Sequence, residues 1–587
     1  MNGWSRWRPT GRSRSILGLT LLVALAVVLF LPALRAPLFL DDYMQASMAK
    51  GTFPAPRFGA FDLYDFVNDG DRAVLYERGI LPWWTEPTLQ VRFFRPLSSA
   101  LLWADYHVFE GAPLPLHLHS FLWWIATVFL ARALYRRLLA PRVATMATII
   151  FALAPCHVFP IAWLANREAL VSITFGIAAL DAYLRWRDGR RPLDAAWSTL
   201  LFALSMTGGE YAISFAGYVL AFELLTVRKV PESAGRRAIG VLPFVVPTAA
   251  YLVVRAQLGY GAHGSGYYAD PFLAPSEFMH AAPRRAAILL AEAWGGLHGL
   301  VFDSDTPPWE LALVVVGGGS LLFYAFRRVL LRLDETPRRT AGALLLGAHL
   351  ALVPVLAAAP APRLLGVTML GLAAGIAVLL DQAWFPLVLE ERRGGAELTG
   401  LVALGLGFAH FVHGPGTSWL MAREFWQSAT HAVSRTTRLI ERRPDVATSE
   451  VIILRGLFNS FILPFSLDQR DAPPGKWRVL SQTGHVLALR RDARTIDLIV
   501  PLDKCLYPKG VANLFRADSS PIPAGATFRT PDARVTVLEV GPLGPRSARF
   551  VFDRDLDATG MMWISDTFEG LEDAELPPRG FGKTFDP

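Results

Sequence analysis

Cysteine is nearly absent from this chain: there are two in 587 residues. Cys156 and Cys505 lie far apart and in different regions, so neither a disulfide framework nor a cysteine metal site is indicated. Charge is scarce as well, 18% of residues against 52% hydrophobic. That balance excludes an ordinary soluble enzyme and a disordered chain, and reads as a polytopic membrane protein. The net charge of +7 does not point to nucleic acid, because the arginines cluster beside apolar spans, where they set orientation and meet anionic headgroups. No metal motif stands out. His117 and His119 are at i, i+2, which does not share a helix face, and His349 and His410 fall inside spans, where they suit interhelical hydrogen bonds.

Long apolar runs are what the chain has in abundance. The first, residues 16–34, is roughly 28 Å long as a helix and can cross a bilayer core. Arg6, Arg8, Arg12 and Arg14 precede it and are expected to hold residues 1–15 in the cytoplasm. The run is longer than a usual signal core and Ala33-Leu34-Arg35-Ala36 is a poor cleavage site, so an uncleaved anchor is expected. Ten further runs follow: 116–138, one through Ile149 and Phe151, 169–186, a short one reaching Gly208, 211–228, 239–254, 311–326, 341–357, 364–380 and 398–411. Basic clusters such as Arg136-Arg137, Arg190-Arg191, Arg228-Lys229, Arg327-Arg328 and Arg392-Arg393 alternate to one side.

The expected fold is therefore an all-α polytopic membrane protein of about 11 transmembrane helices, followed by a soluble β-rich or α/β domain. The transmembrane part covers 16–414, with long outer loops at 35–116 and 256–308; a linker helix takes 415–445 and the extracytoplasmic domain 446–587. In the first loop Pro82-Trp83-Trp84 and Phe93-Phe94 suit the headgroup level, on short helices lying along the membrane. The C-terminal part reads as separate and carries no visible catalytic motif. With no retention signal and an Arg- and Ala-rich composition, a bacterial inner membrane is the expected location.

The outward loops collect the chemistry: Asp41, Asp42, Glu86, Arg92, Arg95, His157, Arg167, Glu168, Glu210 and Arg363, while the middles of the spans are nearly free of ionisable groups. An ion-coupled transporter needs ligands near the midplane, so this distribution favours surface chemistry. A carboxylate can deprotonate an acceptor hydroxyl while arginines pair with a phosphate that gains charge as it leaves. A phosphate at a membrane surface implies a lipid carrier. Blander roles stay open: Asp41 suits a helix N-cap, Arg95 and Arg363 suit headgroup contacts, Glu86 and Glu210 suit structural ion pairs, and His157 suits an interfacial hydrogen bond.

Phe94-Arg95-Pro96-Leu97-Ser98, Ala104-Asp105-Tyr106 and His117-Leu118 resemble the "YRPL...DY...HL" stretch of the GT-C superfamily, in particular the transmembrane O-mannosyltransferase-like proteins that often carry TPR repeats. Residues 151–157 with Ala162-Trp163 and Arg167-Glu168 resemble their "FALHPLHVESVAWxxGRxDLL" segment, residues 203–210 their "ALLSKE" turn, and Pro362-Arg363-Leu364 their outward "ERYLYLP" arginine. The resemblance implies inverting transfer of a sugar from a polyprenyl phosphate to an acceptor hydroxyl on a protein, lipid or polysaccharide. It makes Asp41 or Asp42 the base and Arg95 and Arg363 the phosphate contacts, with Glu86, His157, Arg167, Glu168 and Glu210 beside the substrate. Some relatives use a divalent cation. This chain departs from the pattern at Ala154, Phe159, Asn166 and Gly209 and shows no TPR period, which keeps a non-catalytic scaffold and a flippase of lipid-linked sugar as alternatives.

Overall fold

The structure, a computed structural model, describes residues 12–57, 59–226, 233–297, 306–384, 396–457, 460–567 and 569–586, with side chains from residue 18. The orientation signals at Arg6, Arg8, Arg228, Lys229, Arg392 and Arg393 lie outside the described residues.

The first apolar run forms α1 (Arg12–Leu34), and the loop behind it is more than surface helices. It folds α2 (Asp41–Lys50), α3 (Arg72–Arg78) and α4 (Pro96–Val108) around strands β1 (Asp65–Val67) and β2 (Gln90–Arg92). β2 pairs antiparallel with β1 on one side and on the other with β3 (Gly261–His263), so the two long outer loops join in one small sheet.

The membrane part continues with α5 (Pro113–Leu138), α6 (Pro141–Ala152), the short α7 (Val158–Ala162), α8 (Glu168–Gly189), α9 (Pro192–Gly208), α10 (Phe215–Leu225) and α11 (Ala234–Gln257). After the amphipathic α12 (Pro275–Gly295) come α13 (Pro308–Arg332), α14 (Glu335–Leu350), α15 (Leu352–Val355), α16 (Gly366–Leu379) and a helix at Ala396–Phe408. Proline stands in the first turn of α4, α5, α6, α9 and α13, where its missing N–H breaks no intrahelical bond and its fixed φ suits the helix. Among the described residues, each of the eleven apolar runs overlaps a helix. Among the described residues, six helices are long and apolar enough to cross a membrane, or seven if the bent pair Pro141–Ala152 and Pro155–Ala162 is one span; in α1 the apolar stretch with described side chains is the shorter Gly18–Leu34. The chain is an integral membrane protein with a helical membrane part.

α16 is buried along its whole length. At Gly371 a Cβ would come within 2.2 Å of the Leu344 carbonyl oxygen on α14, so glycine is what lets the two backbones approach.

A 29-residue helix, Gly414–Arg442, leads to the C-terminal region. There β4 (Glu450–Arg455), β5 (Lys476–Val479), β6 (Val486–Arg490), β7 (Thr495–Ile499), β8 (Thr527–Arg529), β9 (Ala533–Gly541), β10 (Gly544–Phe552), β11 (Met561–Asp566), β12 (Leu571–Asp573) and β13 (Gly582–Phe585) make two sheets. One is six-stranded and antiparallel, in the order β13-β6-β7-β10-β9-β8. The other is four-stranded, β12-β11-β4-β5, with β4 parallel to both neighbours.

This region is not separate from the first outer loop, as the composition shift suggests. One continuous hydrophobic core joins Tyr64, Leu75, Trp84 and Leu89 to Val451, Ile453, Leu498 and Phe550. Trp83 and Trp84, expected at the headgroups, are buried in it: the Trp83 indole donates to the Leu480 carbonyl at 2.9 Å, and Trp84 stacks on Tyr507 with ring centroids 5.5 Å apart. An amphipathic aromatic reads the same in sequence whether it meets lipid or a protein partner.

Candidate active site

α2 opens with two adjacent acids whose carboxylates diverge. Asp42 turns inward and is fully buried; its oxygens accept the backbone N–H of Ala165 at 2.8 Å and of Phe39 at 3.1 Å. Burial pushes its pKa up to about 7 against those two hydrogen bonds. Asp41 is partly buried, faces a cavity of about 390 Å³, and accepts no hydrogen bond among the described residues. Burial raises its pKa to about 6, although the Arg363 and Arg95 guanidinium charges pull the other way. Leu40, immediately before, has φ 47° and ψ −118°, a strained backbone for a residue with a Cβ. That kink points the first acid into the cavity and the second away.

Five residues singled out in the sequence meet on the cavity wall: Asp41, Arg95, Glu168, Glu210 and Arg363. Arg95 follows β2 and is ion-paired twice, to Glu210 at 2.7 Å and to Glu168 at 3.3 Å. Its guanidinium also lies over the rings of Phe93 at 4.4 Å and Tyr64 at 5.0 Å. Burial opposes its charge, but the two carboxylates outweigh this and hold Arg95 above its ordinary value. Glu168 further accepts from the Asn166 amide at 3.1 Å. Arg363, at the turn into α16, has no carboxylate within ion-pair distance among the described residues. Its guanidinium donates to the Tyr267 hydroxyl at 3.0 Å and lies 5.6 Å from the Trp163 ring.

The other five candidates do not line this cavity, and each is held by protein contacts; Arg92 pairs with Asp65 at 2.6 Å. Asp42 ties the turn before α8, through the Ala165 N–H, to the start of its own helix, through the Phe39 N–H. His157 is buried and hydrogen-bonds the Phe151 carbonyl at 2.8 Å. Arg167 is buried against Asp105, the Ser120 hydroxyl at 2.8 Å and the Leu116 carbonyl at 2.7 Å. Glu86 pairs with Arg516 of the C-terminal region at 2.8 Å. These side chains are bonded to the protein away from the cavity wall. Neighbouring positions in a motif differ in direction by about 100° on a helix, so a motif alone does not say which member faces a cavity.

The sequence reading missed most of the aromatic wall: Tyr64, Phe93, Trp163, Tyr211, Tyr251 and Tyr268 all line the cavity. In a membrane protein such rings carry no individual signal. Arg255 and Asp270, paired with each other, complete the charged lining. No group of three or more His, Cys, Asp or Glu suited to a metal occurs among the described residues. The lining carboxylates Glu168, Glu210 and Asp270 are turned onto arginines, so they do not converge on a cation site.

No family model and no curated protein matches this sequence. Among solved structures the chain is similar to archaeal oligosaccharyltransferase AglB from Archaeoglobus fulgidus in complex with an inhibitory peptide and a dolichol-phosphate, at 13% identity and a TM-score of 0.43, covering 78% of this chain and 64% of that one. Its apo form matches at 13% identity and 0.45 over the same shares. ArnT from Cupriavidus metallidurans bound to undecaprenyl phosphate matches at 15% identity and 0.41, over 78% of this chain and 85% of that one. The chain spans about 64% of the length of the AglB chains.

Proposed function

We propose that this chain is a GT-C-type integral membrane glycosyltransferase that moves a sugar from a polyprenyl phosphate to an acceptor hydroxyl on the outer face of a bacterial inner membrane. In this reading the eleven apolar runs are its spans, the N-terminus is cytoplasmic and the C-terminal region is extracytoplasmic. One observation carries it: among the described residues, Asp41 accepts no hydrogen bond and Arg363 has no carboxylate partner, and both face the same aromatic-walled cavity.

Asp41 takes the proton of the acceptor hydroxyl as its oxygen forms a bond to the anomeric carbon from the side opposite the carrier. The bond from that carbon to the phosphate oxygen breaks, and the configuration inverts. The phosphate gains a negative charge on leaving, and Arg363 meets it as an electrostatic stabiliser that is already in place. Arg95, saturated by Glu168 and Glu210, holds those carboxylates at the sugar rather than binding phosphate. Ring faces of Trp163, Tyr211 and Tyr268 suit stacking on the sugar. Among the described residues no group of three or more His, Cys, Asp or Glu is placed to hold a metal.

The test is purified protein in lipid, given a panel of polyprenyl-phosphate sugars with candidate acceptors, following loss of sugar from the lipid. Transfer that disappears in Asp41→Asn supports the proposal. Donor binding without turnover moves the reading to a scaffold, and movement of intact donor across the vesicle to a flippase.

A further inference from the structure

A short irregular segment of the C-terminal region, residues 513–520, touches three segments that lead into the walls of the cavity. The first is the lead into β2. Arg516 is buried there, its Nε donating to the Trp84 carbonyl at 2.6 Å and its terminal nitrogens to the Thr85 carbonyl at 3.1 Å and the Glu86 carboxylate at 2.8 Å. The Glu86 N–H donates back to the Phe515 carbonyl at 2.8 Å. The second is the turn after β3, where Gly266 N–H donates to the Asn513 carbonyl at 2.9 Å and Ala517 N–H to the Gly264 carbonyl at 3.0 Å. The third is the start of α12, where Ser519 donates to Glu277 at 2.5 Å.

Each segment leads within a few residues to the cavity. Phe93 and Arg95 follow the first, Tyr267 and Tyr268 follow the second directly, and Phe278 follows Glu277. Tyr267 is the residue whose hydroxyl accepts from Arg363, and Tyr268 packs on Phe93 with ring centroids 5.2 Å apart. The approach at Gly266 is close enough to require glycine: a Cβ there would lie 2.2 Å from the Gly510 carbonyl oxygen and 3.0 Å from that of Asn513. Arg516 also accounts for Glu86, the one candidate acid that pairs outside the membrane part.

We infer that residues 513–520 are a strap through which the C-terminal region sets the shape of the cavity, with Arg516 as its positioning residue. The strap bears on the wall that holds Arg363 and the aromatic lining; Asp41 sits on α2, which none of its bonds reach. Its loss therefore weakens the hold on a phosphate-bearing lipid and leaves proton abstraction in place. The kinetic part of this inference rests on the proposed transfer; the structural part does not.

The experiment compares the full-length chain with its Arg516→Ala and Gly266→Ala variants in lipid. It reads backbone hydrogen exchange at residues 84–95 and 259–270, affinity for undecaprenyl phosphate carrying no sugar, and donor kinetics. Both variants are expected to exchange faster in those two segments with the spanning helices unchanged, and to bind the lipid phosphate roughly tenfold more weakly, the effect of about one lost hydrogen bond to a charged group. Donor KM rises by a similar factor while kcat stays within about threefold. Unchanged exchange and affinity in Gly266→Ala, which removes no charged group and decides the matter where Arg516→Ala fails to fold, overturn the inference; so does a fall in kcat at constant KM. If the unaltered chain transfers no sugar, the proposed function fails, and the exchange measurement still decides whether the strap holds the loops.

Discussion

Replacing each of the two adjacent aspartates separately should give opposite results. The Asp42 carboxylate satisfies two backbone donors, at Ala165 and Phe39, in a fully buried position. Asp42→Ala leaves both orphaned; at about 1–3 kcal/mol for each buried unsatisfied group, the destabilisation is about 2–6 kcal/mol. Asp42→Asn keeps one acceptor and turns an amide N–H toward the other donor, so it loses about half as much. Asp41 accepts no hydrogen bond from the described residues, so Asp41→Asn loses none. Its pKa is raised to about 6 by burial, which means the ionised form is disfavoured in the folded chain, and a neutral amide there leaves stability unchanged or improved. Removing a general base slows turnover about 10²–10⁴-fold, or roughly 3–5 kcal/mol in the barrier. Thermal unfolding in lipid, beside donor turnover, reads both quantities on the same samples. Asp41→Asn should be stable and inactive; Asp42→Asn should unfold at lower temperature and retain turnover while folded. A stable, inactive Asp42→Asn together with an active Asp41→Asn would refute the assignment.

Further outcomes follow from the same geometry. Turnover should fall as pH drops through about 6, because Asp41 must be ionised to act; a pH profile flat from 8 to 5 counts against it. Stability should move the other way: Asp41 and Asp42 hold protons in the folded chain up to about 6 and about 7, where an unfolded aspartate has released them, so their contribution is present at low pH and is lost as pH rises through those values. Denaturant titrations at several pH values check the sign, and Asp42→Asn should flatten the slope. Arg363→Gln should weaken undecaprenyl phosphate binding about tenfold or more without lowering the unfolding temperature, since the guanidinium has no carboxylate partner among the described residues to lose; binding within twofold of the unaltered chain would remove Arg363 from the phosphate. Trp84→Ala should destabilise by about 3–5 kcal/mol, the range for a large buried aromatic, where a headgroup tryptophan would give much less.

Hydrophobic patterning carried the membrane part because a helix in lipid must satisfy its own backbone, which ties a run of apolar residues to one conformation. The eleven runs therefore landed on helices, from residues 16–34 in α1 to 398–411. The first outer loop was harder. Its strands are three residues each, and β2 pairs not only with β1 but with β3, some 170 residues later, a pairing that no local pattern announces. Trp83 and Trp84 were misplaced for a related reason: the partner that buries them, around Leu480 and Tyr507, is remote in sequence. The charged residues were legible as a set, but their individual directions were not. Arg167 and Glu168 are adjacent, yet one is spent on Asp105 and the other faces the cavity.

What distinguishes Asp41 and Arg363 from the rest is that the protein leaves them unfinished. In the same cavity Arg95 pairs with Glu168 and Glu210, and Arg255 pairs with Asp270, as partly desolvated charges tend to do. A scaffold would gain by pairing the remaining two as well, or by replacing them with apolar groups of like volume. Instead Arg363 is held by a tyrosine hydroxyl rather than a carboxylate, and Asp41 follows a strained residue, Leu40, with a φ of 47°. Strain beside incompletely paired charges is a pointer to a functional site, and under the proposed transfer the acid would meet the acceptor hydroxyl and the guanidinium the anionic leaving group. The departures from the family pattern do not touch that pair: Ala154 and Phe159 do not line the cavity, while Asn166 lines it and donates to Glu168.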